Sequence, residues 1–266
     1  VGNSDGAANT AEFDHPQGVA LSNDTLYVAD TENHTIRAVD LHNWTVTTAV
    51  GTGEMGYDRA GGAMGVQQEI SSPWDLAVEG GTVYVAMAGL HQIWRIEMPI
   101  GFARALAGSG RENIADGPVE TAALSQPSGI CLHGGKLYFA DSEVSAIRGI
   151  DLASETVFTV IGEGLFVFGD VDGIHPKAKL QHCLGVAPWR DKLLVADSYN
   201  HKIKIVDPTT RGATTLYGTG APATSTPSNE LGLHEPGGLD VAEDTLFIAD
   251  TNNHRVVCVN LTTNAW

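Results

Sequence analysis

Five copies of one sequence register, four strand-like runs within each copy and no sustained helical periodicity predict an all-β fold, a propeller of five four-stranded blades. The copies start at Pro16, Pro73, Pro127, Cys183 and Pro236, 53 to 57 residues apart. Fourteen residues after each start stand Asp30, Met87, Asp141, Asp197 and Asp250, and four residues beyond those stand His34, His91, Ser145, His201 and His254. Thirty-five residues after the first four starts come Gly51, Gly108, Gly162 and Gly218.

The elements follow in order. A short Gly-Val-Ala-Leu type run opens each copy as the innermost strand. The second strand is the run that ends at the aspartate slot: 26–29, 83–86, 137–140, 193–196 and 246–249. A turn carrying Asn33-His34, Asn200-His201 or Asn253-His254 leads to the third strand, at 36–39, 93–96, 147–150, 203–206 and 256–259. The fourth, of the type Thr45-Val-Thr-Thr-Ala-Val50, ends at the recurring glycine. β-Branched and aromatic residues fill the runs, and Asn, Asp, Gly and Ser fill the gaps, as strands and tight turns require. Between copies the length varies: Gly51 to Pro73 is 22 residues, Gly108 to Pro127 is 19, Gly162 to Cys183 is 21 and Gly218 to Pro236 is 18. Such connections are expected to lack structure of their own and to share one rim with the Asn-His turns. Long loops on one rim are where function is expected.

Composition bounds the function. The chain has 266 residues, 32 acidic against 15 basic, for a net charge of −17. That balance argues against nucleic acid and anionic membranes as partners. With 42% hydrophobic and 18% charged residues the chain is too apolar for disorder, and no apolar run is long enough to span a bilayer. Three cysteines without a C-x-x-C exclude a disulfide scaffold and a dithiol redox centre. The expectation is one soluble domain over 1–266, cytoplasmic rather than secreted. Val1-Gly2 match Val50-Gly51, and the fifth copy stops at Trp266, inside its fourth strand. Two rings fit: a closed five-bladed one, or a six-bladed one lacking a blade. The open form predicts self-association through apolar blade faces.

Asp30-Thr-Glu-Asn33-His34, Asp197-Ser-Tyr-Asn200-His201 and Asp250-Thr-Asn-Asn253-His254-Arg255 resemble NHL repeats. The interblade stretches, among them Gln67-Gln68-Glu-Ile-Ser-Ser-Pro73-Trp74-Asp75 and Phe168-Gly-Asp170-Val-Asp172-Gly173, are similar to those NHL propellers that follow a thioredoxin-like domain and have six blades. The resemblance covers nearly the whole chain and implies an NHL β-propeller that acts as a scaffold or ligand-binding module.

Four histidines in one slot invite a metal reading. The slot lies far from the propeller axis, so successive blades are expected to hold them too far apart to share an ion, and each is expected to order its own turn beside the aspartate. The aspartates are expected to fix turns by accepting backbone N–H groups. Asp170 and Asp172 faintly suggest a calcium loop, but Gln181 occupies the position where an EF-hand needs Glu. The Gly-x-Gly triplets read as strand-ending turns, and Cys131, Cys183 and Cys258 as buried small hydrophobes. Asn23, Asn33, Asn43 and Asn260 open N-x-[ST] sequons that turn composition explains.

The leading expectation is a non-enzymatic propeller, without metal or cofactor, that binds a protein or small ligand on the loop face. Its binding residues are Arg59, Gln67, Gln68, Trp74, Asp75, Phe166, Phe168, Asp170, Asp172, His175 and His182. The alternative is a metal-dependent lyase or hydrolase in the central channel. The innermost-strand entries Gln17, Trp74, Ser128, Leu184 and Gly237 supply no histidine for it.

Overall fold

A computed structural model describes residues 1–223 and 230–266. The interblade connection 218–236 therefore lies partly outside the described residues. Five antiparallel sheets follow one another along the chain, the five blades of a β-propeller. By contacts the chain divides into two compact units, Val1–Leu132 and His133–Trp266.

Blade 1 has the strands Pro16–Ser22, Thr25–Asp30, Thr35–Asp40 and Thr45–Val50. Blade 2 has Pro73–Glu79, Thr82–Met87, Gln92–Glu97 and Phe102–Ala107. Blade 3 has Pro127–His133, Lys136–Asp141, Ala146–Asp151 and Thr156–Ile161. Blade 4 has Val186–Trp189, Lys192–Asp197, Lys202–Asp207 and Gly212–Tyr217. Among the described residues the fifth sheet has three strands, Pro236–Ala242, Thr245–Asp250 and Arg255–Asn260. Each predicted run falls within the strand assigned to it.

The interblade connections differ from expectation, because they carry strands. Gly6–Ala7 pairs with the fourth strand of blade 1, Gly61–Met64 with that of blade 2 and Gly173–Ile174 with that of blade 4. Gly117–Pro118 is the corresponding short strand ahead of blade 3. The segment before a blade's first strand thus runs along that blade's outer edge first. Two-residue strands carry too few side chains for an alternating pattern, which is why the sequence hides them.

In unit 1 the core gathers Ile36, Val50, Ile70, Leu76, Val85, Leu90, Trp94 and Ile96, all buried. In unit 2 it gathers Leu194, Ala196, Ile203, Leu233, Leu246, Ile248, Val257 and Val259. Blade 4 buries both faces of its second strand, whereas blade 5 buries Leu246 and Ile248 and leaves Phe247 37% exposed and Val256 67% exposed.

The recurring glycine has a steric reason. Gly51 and Gly218 sit at φ +112° and +96°, and a Cβ there would come within 2.4 Å and 2.3 Å of the His34 and His201 carbonyl oxygens. The fourth strand ends where it meets the histidine turn, and only glycine allows the approach.

Candidate functional site

The turn between second and third strands is built alike in every blade. In blades 2 to 5 a 3-10 turn precedes the histidine slot, and His34, His91, Ser145, His201 and His254 all adopt left-handed backbone at φ +48° to +53°. The residue of the slot does not order its own turn beside the aspartate, as the sequence implied. Asparagine does that: Asn33 Nδ2 donates to Asp30 Oδ2 at 2.8 Å, and Asn200 and Asn253 repeat the bond at the same distance. Asn33 is buried and also donates to Gly2 O, so its sequon is sterically closed.

Histidine instead reaches the next blade. His34 Nδ1 accepts the N–H of Ser72 at 3.0 Å, His91 Nδ1 that of Gln126 at 3.1 Å and His201 Nδ1 that of Glu235 at 3.1 Å. Ser145 does the same with its hydroxyl, accepting from His182 N at 3.0 Å. Ser72, Gln126 and Glu235 stand just before the next blade's first strand, and His182 stands just before Cys183, where the fourth copy starts. Thr31 and Ser198 add a second link by donating to the carbonyls of Pro73 and Pro236, both at 2.7 Å. These bonds staple neighbouring blades together.

A staple that uses Nδ1 as acceptor requires neutral imidazole. Burial pushes the His34 and His201 pKa values below the ordinary 6.5, against the upward pull of Glu32 and Glu54 at the first and Glu235 at the second. In the unfolded chain these histidines charge first as the pH falls, so the stability they give is present above about pH 6.5 and is lost below it. His34→Ser, which copies Ser145, is expected to keep the staple and remove that site's acid loss. By urea unfolding at pH 5 it should be more stable than His34→Ala by about 1 kcal/mol, the worth of one buried hydrogen bond.

The aspartate slot anchors each blade's own entry. Asp30, Asp197 and Asp250 each accept a backbone N–H at 2.7 Å, from Asp14, Gln181 and His234. Seven residues beyond the aspartate lies a partner that sequence reasoning missed. Arg37 Nη1 donates to Asp30 Oδ2 at 2.9 Å and Nη2 to Asp5 Oδ1 at 2.8 Å. Arg148 pairs with Asp141 at 2.8 Å, all four atoms' side chains of these two inner pairs being fully buried. In blade 4 the slot holds Lys204, bonded to Asp170 and Asp172 at 2.7 Å and 2.8 Å but 3.8 Å from Asp197. Burial pushes the Asp197 carboxyl up to about 6, despite Asn200, the Gln181 N–H and Lys204. Blade 2, with Met87 in the aspartate slot, has Trp94 in the cation slot, fully buried with its Nε1 donating to Gln92 Oε1 at 3.0 Å.

Asp5 and Asp172 open the short edge strands, and their carboxylates extend the pairing that two residues begin. Asp5 accepts from Thr48 N at 3.0 Å and Asp172 from Thr215 N at 2.9 Å. Blade 2 has Ala60 at this position. In blade 2 the buried cation and both carboxylates are absent together, whereas blade 5 has Val257 in the cation slot, keeps Asp250 and pairs it with the half-exposed Arg255, whose Nε donates to Asp250 Oδ2 at 2.7 Å.

The eleven sequence-selected residues fall in both units. In unit 1, Gln68 is buried and fastens its own loop, accepting from Ala63 N and donating to Asp58 and to Glu69 O. Asp75 accepts Ile130 N at 2.9 Å, tying blade 2 to blade 3's first strand. Trp74 is half-buried, while Arg59 and Gln67 are exposed. In unit 2, Asp170 and Asp172 are engaged by lysines and Thr215; burial raises both carboxyls, but the lysines outweigh it and both end below the usual range. His175 is half-buried, its backbone N–H donating to Arg211 O at 2.8 Å. His182 stacks on Tyr199 with ring centroids 4.4 Å apart. Phe166 and Phe168 stand 88% and 55% exposed, and Tyr199 50%. Phe168 and Tyr199 flank a bond from Asn200 Nδ2 to Gly169 O, which holds the two segments side by side. Tyr199 was legible as the one aromatic at its turn position, where the other blades have Glu32, Gly89, Glu143 and Asn252. Of the cysteines, Cys131 and Cys183 are buried, and burial pushes both thiols far up, whereas Cys258 is exposed, contrary to expectation. Among the described residues no helix is long and apolar enough to cross a membrane.

Comparison with known proteins agrees with this architecture. The NHL repeat family model matches residues 13–38 and 233–259. Human NHL repeat-containing protein 2 is 44% identical over 98% of this chain and 41% of its own length. Protein SUPPRESSOR OF QUENCHING 1, chloroplastic, from Arabidopsis thaliana is 42% identical over 97% of this chain and 26% of its own. The chain thus spans less than half the length of these relatives. Among solved structures, one from a nidogen/laminin complex superposes with a TM-score of 0.67 at 17% identity, covering 94% of this chain and 77% of the other. An auxiliary nutrient binding protein from Bacteroides thetaiotaomicron gives 0.57 at 16% identity, covering 96% and 71%. The chain is an NHL-repeat β-propeller, similar over nearly all of its length to NHL repeat-containing protein 2.

Proposed function

We propose that this propeller is a non-enzymatic recognition module that binds a protein through the loop rim of unit 2. The observation that carries the reading is the aromatic group Phe166, Phe168 and Tyr199, exposed by 88%, 55% and 50% on loops anchored from beneath. Exposed large aromatics on a fixed backbone lose little entropy on binding and bury much area, which is the character of binding hot spots. The anchors are the Gly169–Asn200 bond, the Lys204–Asp170 and Lys204–Asp172 pairs and the His182–Tyr199 stack. Asp170, Asp172 and His182 support this surface rather than form its contact atoms.

The triple variant Phe166→Ala, Phe168→Ala, Tyr199→Ala tests the reading. Proximity labelling with the intact protein, compared between wild type and variant, identifies partners whose capture depends on the rim. A purified partner so identified is expected to bind the variant at least about thirtyfold more weakly, the loss of one hot-spot residue, with Tm unchanged. Partners that bind both forms equally would place recognition elsewhere.

A further inference from the structure

One staple is ringed by ligating side chains. His201 in the turn of blade 4, with His234 and Glu235 just ahead of blade 5's first strand, each offer one ligand atom, and the three atoms lie within 4.8 Å of one another. All three residues are half-buried, and the two imidazoles meet edge to face with centroids 5.4 Å apart. Ligand atoms around a tetrahedral zinc ion stand about 3.4 Å apart, given bonds near 2.0–2.2 Å. Small side-chain rotations close the difference.

The scaffold does not ask for these side chains. At the entries to the second, third and fourth copies the two positions ahead of the copy's start hold Ser71-Ser72, Ser125-Gln126 and Gln181-His182. The bonds they contribute to the staple and to the aspartate slot come from backbone N–H groups, so those bonds do not dictate the side chains. Among the described residues, only the junction of blades 4 and 5 places an imidazole and a carboxylate there beside a slot histidine. Two imidazoles and a carboxylate suit zinc and its borderline neighbours cobalt and nickel, and disfavour calcium and magnesium, which take oxygen sets. Asn252 Nδ2 donates to Glu235 Oε2 at 2.7 Å, the kind of outer contact that orients a metal-binding carboxylate.

We propose that His201, His234 and Glu235 form a binding site for a divalent transition-metal ion of the zinc class, with water completing its coordination. Expecting no metal rested on the distance between histidine slots of successive blades; here the additional ligands come from the adjoining loop. Binding has a consequence for the junction. His201 Nδ1 now accepts the Glu235 N–H, so the ring proton sits on Nε2. The ion takes His201 either at Nδ1 in place of that N–H, or at Nε2 after the proton has moved to Nδ1. Both routes give up the staple, so occupancy of the site unlocks the link between blades 4 and 5.

The test uses the full chain after chelator dialysis, titrated with Zn²⁺ by calorimetry and with Co²⁺ by its visible d–d absorption. One ion per chain is expected, with the Glu235 amide losing hydrogen-exchange protection as Zn²⁺ is added. Three variants borrow their replacements from sister positions: His201→Ser from Ser145, His234→Gln from Gln181 and Glu235→Gln from Gln126. Each should fold with the Tm of the metal-free wild type and bind at least about tenfold more weakly, the loss that even outer partners of a metal site cause. Absence of saturable binding at one ion per chain, or binding unchanged in His201→Ser and His234→Gln, would overturn the site. Recognition through the aromatic rim is read separately and does not depend on the outcome.

Discussion

Replacing Arg37 by methionine is expected to destabilise the protein by about 3–5 kcal/mol, because it leaves a buried carboxylate without its counter-charge. Asp30 is fully buried and loses its counter-charge, whereas Asp5, half-exposed and still bonded to Thr48, loses only one of its partners. Asn33 and the Asp14 N–H continue to bond Asp30, but neither carries a positive charge. A Tm drop on the order of 10 °C in calorimetry is the readout. The propeller itself supplies the rescue. Blade 2 fills the three positions with Ala60, Met87 and Trp94, so the variant Asp5→Ala, Asp30→Met, Arg37→Trp should recover most of the loss. Buried ion pairs exchanged whole for apolar groups of similar volume are often neutral. A triple variant no more stable than Arg37→Met alone would show that the charges do more in blade 1 than balance one another.

Lys204→Met is expected to cost at least as much at pH 7.5, since Asp170, Asp172 and Asp197 all face that ammonium. The wild-type arrangement is already imperfect. A guanidinium is a fork and serves carboxylates on two sides, as Arg37 does, whereas an ammonium is a single point. Lys204 Nζ bonds Asp170 and Asp172 and remains 3.8 Å from Asp197, whose carboxyl burial raises to about 6 from an ordinary 3.8. Above about pH 6 the folded protein holds this anion at a cost. As the pH falls from 6 toward 3.8 the folded state takes up the proton before the unfolded chain does, so that cost, roughly 3 kcal/mol at 1.36 kcal/mol per unit, is relieved. Lys204→Arg should bring a donor to Asp197, lower its carboxyl titration as followed by carbon NMR, and abolish the acid gain. If Asp197 titrates in Lys204→Arg as it does in wild type, the gap to the ammonium is not the cause.

The blades were legible because strand runs alternate with turn residues at fixed spacing, and the glycine at Gly51 and Gly218 was legible as a turn before its close approach to His34 and His201 was known. The staple was not. His34 and Ser145 perform one task with different atoms, and their partner is a backbone N–H that carries no sequence signature. The cation slot was within reach: Arg37, Arg148 and Lys204 stand seven residues after an aspartate, and Trp94 stands seven after Met87. Choosing Asp170 and Asp172 as contact residues weighed their charge and their loop, but not the lysines two strands away that claim them. Exposure separated Phe166 and Phe168 from Gln68, and no composition argument does that, since loop residues of every kind face either inward or outward.

The short edge strands change where one module ends and the next begins. The sequence repeat counts from proline to proline, yet Gly6–Ala7 and Gly173–Ile174 belong to the sheets whose fourth strands they border. A segment cut at the prolines would part each blade from its own hem, together with the carboxylate that meets its buried cation. A segment cut just after the strand-ending glycine keeps hem, entry loop and four strands in one piece. Shuffling of blades between such proteins, in evolution or in the laboratory, is therefore better phased on Gly51, Gly108, Gly162 and Gly218 than on the prolines that make the repeat visible.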